Sequence, residues 1–180
     1  MGKDYTEIDQ DVRDWIGKQK MFFVATSPLS GEGLVNVSPK GMDTFRVLGP
    51  RTIGYLDLTG SGVETIAHLR ENGRITIMMC AFEGAPKIFR FYGKGEVLEV
   101  GTERFAELIP QFGEDAGARS IIVVELDRIR DSCGYSIPFY DYAGERDVLS
   151  KWADKKGEEG VREYQLANNR ESLDGLPGLD

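Results

Sequence analysis

The chain has little of what most catalytic and metal-binding sites are built from. It contains one histidine, His68, and two cysteines, Cys80 and Cys133, without CxxC spacing. That set is too small for a structural zinc site or a disulfide framework. A Ser-His-Asp or Cys-His arrangement would have to use His68, which the pattern places inside a helix, and no motif marks a nucleophile. Neither GxGxxG nor a Walker A loop occurs, which argues against the dinucleotide and nucleoside-triphosphate folds. Lys and Arg form no cluster, and 22 of them face 30 acidic residues, for a net charge of -8. Such a surface repels nucleic-acid backbones and anionic membranes, so an anionic ligand needs a local site. No apolar run is long enough to span a bilayer, and the first residues lack a basic region followed by an apolar one. A soluble, cytoplasmic protein is expected.

What is present reads as one globular domain over residues 1–180, with 41% hydrophobic content. Tyr5, Ile8, Val12, Trp15 and Ile16 recur at helical spacing and predict a helix over 5–19. Strands are expected at 21–27, 34–38, 45–48, 52–58, 75–82, 87–100 and 120–126, most of them joined by short Gly- and Pro-containing turns. The 75–82 strand is apolar on both faces, as a covered central strand would be. Gly93 and Gly95 suit a bend or bulge where the sheet curls. These signals point to a mainly β architecture, an antiparallel β-barrel with peripheral helices. A helix starting at Thr102 and a helical stretch over 145–170, interrupted at Gly157 and Gly160, supply more cover. The tail beyond is expected to be extended.

The stretch YLDLTGSGVETIAHLRENGRITIMM, residues 55–79, reads as strand, turn, helix and strand. Ser61 and Glu64 have capping-box spacing, and Asn72-Gly73 a left-handed stop. The turn has two readings. It is either a capped helix start, or an anion site in which the amides of Gly60, Ser61 and Gly62 and the hydroxyls of Thr59, Ser61 and Thr65 meet a phosphate. Asn36, Ser38 and Lys40 share one strand face, which is either solvated or turned toward that site. Arg90, opposite Phe89 and Phe91, is either a surface charge or a cation in the cleft. The aromatic segment 131–143 carries Tyr135, Phe139, Tyr140 and Tyr142 and is either packing surface or a stacking wall for a flat cofactor.

The ordered set MFFVATSPLSGEGLVNVSPKG, TIGYLDLTGSGVETIAHLRENGRITI and FRFYGKGEV resembles the pyridoxamine 5'-phosphate oxidase-like family of FMN-binding split barrels over about residues 18–128. A closer resemblance, reaching through SCGYSIP and the DGLPG tail, is to a bacterial subfamily whose substrates are generally unassigned. The resemblance implies a six-stranded antiparallel split barrel followed by an aromatic loop and helices over 131–180. It also implies a homodimer with FMN in clefts between subunits and a small-molecule substrate or electron donor. By position, Lys40 matches a lysine near the flavin and Ser61 a serine of the phosphate turn, with Ser38, Thr59, Gly62, Thr65, Arg90 and Tyr135 as further cofactor contacts. Related barrels also hold deazaflavin or haem, so a non-catalytic cofactor binder is the alternative. Two departures stand out. Gly62, Val63 and Glu64 stand where the family places Arg or Lys after the turn serine, and no histidine follows His68 to complete the oxidase's C-terminal Arg-x-His pair. Oxidation of pyridoxamine phosphate itself is therefore not expected.

Overall fold

The computed structural model describes residues 2–180. In chain order these form β1 (Asp4–Tyr5), α1 (Gln10–Ile16), β2 (Phe22–Thr26), β3 (Asn36–Lys40), β4 (Phe45–Val47) and β5 (Thr52–Leu58). There follow α2 (Glu64–Asn72), β6 (Arg74–Cys80), β7 (Ile88–Glu99), α3 (Glu103–Leu108), β8 (Ala118–Ser132) and α4 (Val148–Asn168). All strands belong to one antiparallel sheet in the order β3-β2-β6-β7-β8-β5-β4, and β1 pairs with the far end of β8. Eight strands thus replace the six expected from the family. Two-residue β1 is too short to signal itself, and its partners Ile129 and Arg130 lie more than a hundred residues away. The predicted helix over 5–19 shortens accordingly to α1, where the Asp9 side chain accepts from the Val12 amide at 2.9 Å.

The sheet curls because its two longest strands shift register. Between Tyr92 and Gly93 the β7–β8 ladder slips by one residue, and a Cβ on Gly93 would lie 2.1 Å from the Glu125 carbonyl oxygen. Only glycine lets the strands approach so closely there. The main core lies inside the curl, where α1 and α2 bury Val12, Ile16, Ile66 and Leu69 against Phe22, Val24, Ile53, Phe89, Phe91 and Ile129. Each such large apolar side chain contributes about 1.5–3 kcal/mol by leaving water. A second cluster on the outer face joins Leu56, Leu98, Ile121 and Val123 to Phe112. The strands covered on both faces are therefore β8, buried without a break from Arg119 to Val124, and β5, buried from Ile53 to Asp57, rather than β6, which alternates.

Two helix termini behave differently. Gly73, at φ 71, ends α2 in the left-handed conformation that the Asn-Gly pair signals. At the other end the capping box does not form. The residue before the helix is Val63, with no side-chain cap, and Glu64 is already the first helical position. Its carboxylate instead accepts from the Leu173 amide at 3.3 Å, so the C-terminal tail takes the place of the expected local partner. Helix α4 breaks at Gly157, φ 69, where the sequence marks an interruption.

Candidate functional site

Strand pairing decides where the polar face of β3 points. Asn36, Ser38 and Lys40 lie opposite Thr26, Val24 and Phe22, all buried, so their side chains face the inside of the curl. Val35 and Val37 face outward and are exposed. On β5 the inward residues Ile53, Tyr55 and Asp57 are fully buried. Lys40 reaches across to Asp57, with Nζ 3.2 Å from Oδ1.

Asp57 is the hub of this network. Arg119 donates from Nε to its Oδ2 at 2.7 Å, and the Ser120 hydroxyl lies 3.4 Å from the same oxygen. Burial pushes the Asp57 carboxyl up, but the charges of Arg119 and Lys40 outweigh it and hold the group below the usual carboxylate range. Arg119 continues outward, donating from Nη1 to the Gly62 carbonyl at 2.8 Å and to Asn169 Oδ1 at 3.0 Å. Asn169, fully buried just after α4, donates its own amide to the Gly60 carbonyl at 3.0 Å. The Thr59 hydroxyl donates to the Gly117 carbonyl at 2.8 Å and accepts from Gln165 Nε2 at 2.7 Å. One chain of contacts thus runs Lys40, Asp57, Arg119, Gly62, and the C-terminal segment holds the turn from outside.

The turn itself is half suited to an anion. Among the described residues no hydrogen bond uses the amides of Gly60, Ser61 or Gly62, so three donors are free. Ser61 is exposed. Beside them, however, stands the Glu64 carboxylate, whose Oε2 would lie 2.3 Å from a Cβ on Gly62. The nearest cation of the network, Arg119, is committed to Asp57. Thr65 turns inward, accepting from Asn36 Nδ2 at 3.0 Å. Asn36 also reaches Thr26, whose hydroxyl lies 2.9 Å from His68 Nδ1. His68 Nε2 and the Tyr55 hydroxyl end this interior network without a partner, and burial pushes the His68 imidazole down and the Tyr55 phenol well up.

On the other side of Lys40 opens a cleft of about 1390 Å³. Its walls come from α1 and the segment after it (Trp15, Lys18, Lys20), the end of β3 and the turn beyond (Lys40, Met42), the β6–β7 turn (Phe82, Glu83, Lys87), the C-terminal loop (Tyr140, Tyr142, Arg146) and α4 (Trp152). Tyr140 packs on Phe82 with ring centroids 5.3 Å apart, and Lys20 sits 5.4 Å over the Tyr142 ring. Met42, at the lip, has φ 61 and is followed by Asp43 at φ 52. A left-handed methionine costs roughly 1–2 kcal/mol and persists only where its surroundings impose it. Here its amide donates to Glu145 Oε2 at 3.3 Å.

The eight residues read from the sequence are therefore divided. Lys40 alone lines both the network and the cleft. Thr59, Ser61, Gly62 and Thr65 gather around the turn, and Ser38 stands on the inward face of β3 between them and Lys40. Arg90 points to the outer face, opposite buried Phe89 and Phe91, and donates to the Ser132 hydroxyl at 2.9 Å, away from both places. Tyr135 is 84% exposed and outside the cleft, whose aromatic wall is Tyr140 and Tyr142 of the same loop. Asp57, Arg119, Gln165 and Asn169 carried no signal; an acid at the end of an otherwise apolar strand, YLDL, was the one available clue to a buried pair.

Comparison with known proteins agrees with this architecture. The sequence model of the pyridoxamine 5'-phosphate oxidase family matches residues 8–133. The pyridoxamine 5'-phosphate oxidase family protein ustO of Aspergillus flavus is 39% identical over 194 residues, covering 97% of this chain and 77% of ustO. That relative is fungal, so the full-length resemblance is not confined to bacteria. Among solved structures, HupZ of Group A Streptococcus superposes with a TM-score of 0.52 at 25% identity, covering 68% of this chain and 91% of HupZ. A putative pyridoxamine 5'-phosphate oxidase from Lactobacillus delbrueckii gives 0.54 at 15% identity, covering 71% and 98%. No helix among the described residues is long and apolar enough to cross a membrane.

Proposed function

This chain belongs to the pyridoxamine 5'-phosphate oxidase family, and from that premise we propose that it is an FMN-dependent oxidoreductase acting on a substrate other than pyridoxamine phosphate. The observation that carries the reading is Lys40, which lines the aromatic cleft and is joined through Asp57 and Arg119 to a turn with three free amides. The cofactor fits this place in part. An isoalloxazine ring suits the aromatic walls, and Lys40 supplies a cation for its oxygens. The amides of Gly60, Ser61 and Gly62 and the Ser61 hydroxyl suit a phosphate, whereas Glu64 and the commitment of Arg119 to Asp57 weaken that end. Bound FMN would supply hydride or electron transfer at its ring. The chain's own part is to bind and orient it, to fix Lys40 through Asp57, and to hold the turn through Asn169.

The alternative, a haem binder, needs an accessible axial ligand. His68 is fully buried and engaged with Thr26, which favours the flavin. The reading includes a homodimer, whose interface would cover the apolar edge left exposed by Leu29, Leu34, Val35 and Val37. The test is the visible spectrum of the purified protein, with mass spectrometry of what denaturation releases and an FMN titration by fluorescence quenching. Flavin bands, or saturable quenching that Lys40→Ala abolishes, are expected. A colourless protein that leaves FMN fluorescence unchanged would sink the reading.

A further inference from the structure

At about 1390 Å³ the cleft is larger than the roughly 300–1,000 Å³ that encloses one drug-sized ligand, so a flavin ring at Lys40 leaves much of it free. The free part has its own chemistry. Lys18, Lys20 and Arg146, drawn from α1's end and from the C-terminal loop, form no ion pair among the described residues. Of the five cations in the whole lining, Lys40 and Lys87 pair with Asp57 and Asp131 outside it, which leaves Lys18, Lys20 and Arg146 beside the lining's three acids. One of those acids, Glu145, is already engaged by the Tyr142 hydroxyl at 2.7 Å and the Met42 amide. Behind Lys20 and Tyr142 a recess of about 330 Å³ reaches an apolar floor of Phe22, Phe45 and Met79.

We infer that this part of the cleft binds an organic anion with an apolar or aromatic body, its acidic group on Lys20 and Arg146 and its body in the recess. That this anion is the substrate rests on the flavin reading above; that the site binds it does not. Cations without an ion pair, gathered in one cleft of an acidic protein, give an anion a local foothold, and the strained Met42 lip and exposed Tyr140 and Tyr142 mark a surface built for more than packing.

The test uses a matched pair of fluorescent probes, the anionic 1-anilinonaphthalene-8-sulfonate and the uncharged N-phenyl-1-naphthylamine. The wild-type protein should bind the anion more tightly. The double variant Lys20→Gln, Arg146→Gln should weaken it roughly five- to tenfold, the size expected of two partly exposed charge contacts. The same variant should leave the uncharged probe and the FMN titration unchanged. If the anion does not bind, or binds the variant equally well, the proposal is overturned. Should FMN affinity fall together with the anion's, the cations serve the flavin phosphate and the separate site is likewise overturned. If FMN binds neither protein while the anion retains its dependence on Lys20 and Arg146, the site stands and the flavin reading fails.

Discussion

The turn at residues 59–63 and the cleft beyond Lys40 are both polar, but they are polar in opposite ways. Around the turn nearly every charged or hydrogen-bonding side chain is answered from within the chain: Asp57 by Arg119 and Lys40, Arg119 by Gly62 and Asn169, Thr59 by Gly117 and Gln165. Among the described residues the amides of Gly60, Ser61 and Gly62 and the Ser61 hydroxyl remain over. In the cleft the groups left unanswered are charged side chains, the cations Lys18, Lys20 and Arg146 and the acids Glu83 and Asp141. Buried networks of the first kind fix geometry, since leaving one member unpaired is costly. Exposed cations of the second kind cost little when unpaired and can change partners. On the reading proposed above, the turn would hold a fixed group and the cleft a variable one.

The sharpest way to break this comparison is to remove the hub. Asp57→Ala leaves the buried Arg119 guanidinium without its counter-ion, and a loss of about 3–5 kcal/mol in urea-unfolding free energy is expected. Adding Arg119→Met should recover much of it, because no charge is then stranded. Lys20→Ala in the cleft should change stability by less than about 0.5 kcal/mol. Equal effects at Asp57 and Lys20 would show that the two regions are not distinct. The carboxyl of Asp57 is held low in the folded chain, so its contribution is complete above its unfolded value of about 4 and is lost as pH falls through its folded value. Asp57→Ala should therefore lose less further stability on acidification below pH about 4 than the wild type.

A smaller effect is expected where the C-terminal segment meets the turn. Asn169→Ala strands the Gly60 carbonyl and one arm of Arg119, at about 1–3 kcal/mol. At Gly178 a Cβ would lie 2.2 Å from the Asn169 carbonyl oxygen and 2.8 Å from Val63, so Gly178→Ala should destabilise by a similar amount and weaken FMN quenching as well. Unchanged thermal midpoints for both variants would mean that the tail does not support the turn.

Ligand affinity sharpens the comparison further. If the flavin phosphate rests on the free amides, Glu64→Gln removes a like charge and should tighten FMN roughly fivefold, or about 1 kcal/mol. Affinity that stays constant or falls would place the phosphate elsewhere. The smallest expected effect is at His68. Burial favours its neutral form against the pull of Asp174, Glu64 and Glu71. Its contribution is present above an unfolded value of about 6.5 and fades as pH drops below it. Urea midpoints measured from pH about 7.5 to about 5.5 should decline, and His68→Gln should flatten that decline.

What the sequence by itself determined is local and periodic. The two-residue alternation of β3 put Asn36, Ser38 and Lys40 on one face, and the glycine at position 93 marked the bulge. Gly73 ended its helix in the left-handed conformation, and Gly157 interrupted α4. Each of these depends on backbone conformation and on which face of an element is apolar, and neighbouring residues encode both. Tertiary structure decided the rest. Sequence spacing cannot say which of 22 cations meet Asp57, and one of the two that do, Arg119, lies 62 residues away on a strand brought alongside by sheet pairing. The same holds for Asn169 on the turn, for β1 against the end of β8, and for Lys20 and Arg146 in one cleft. Even the capping box failed for this reason. Ser61 and Glu64 have the right spacing, but the tail that folds back to Glu64 offers a competing partner that no local pattern contains.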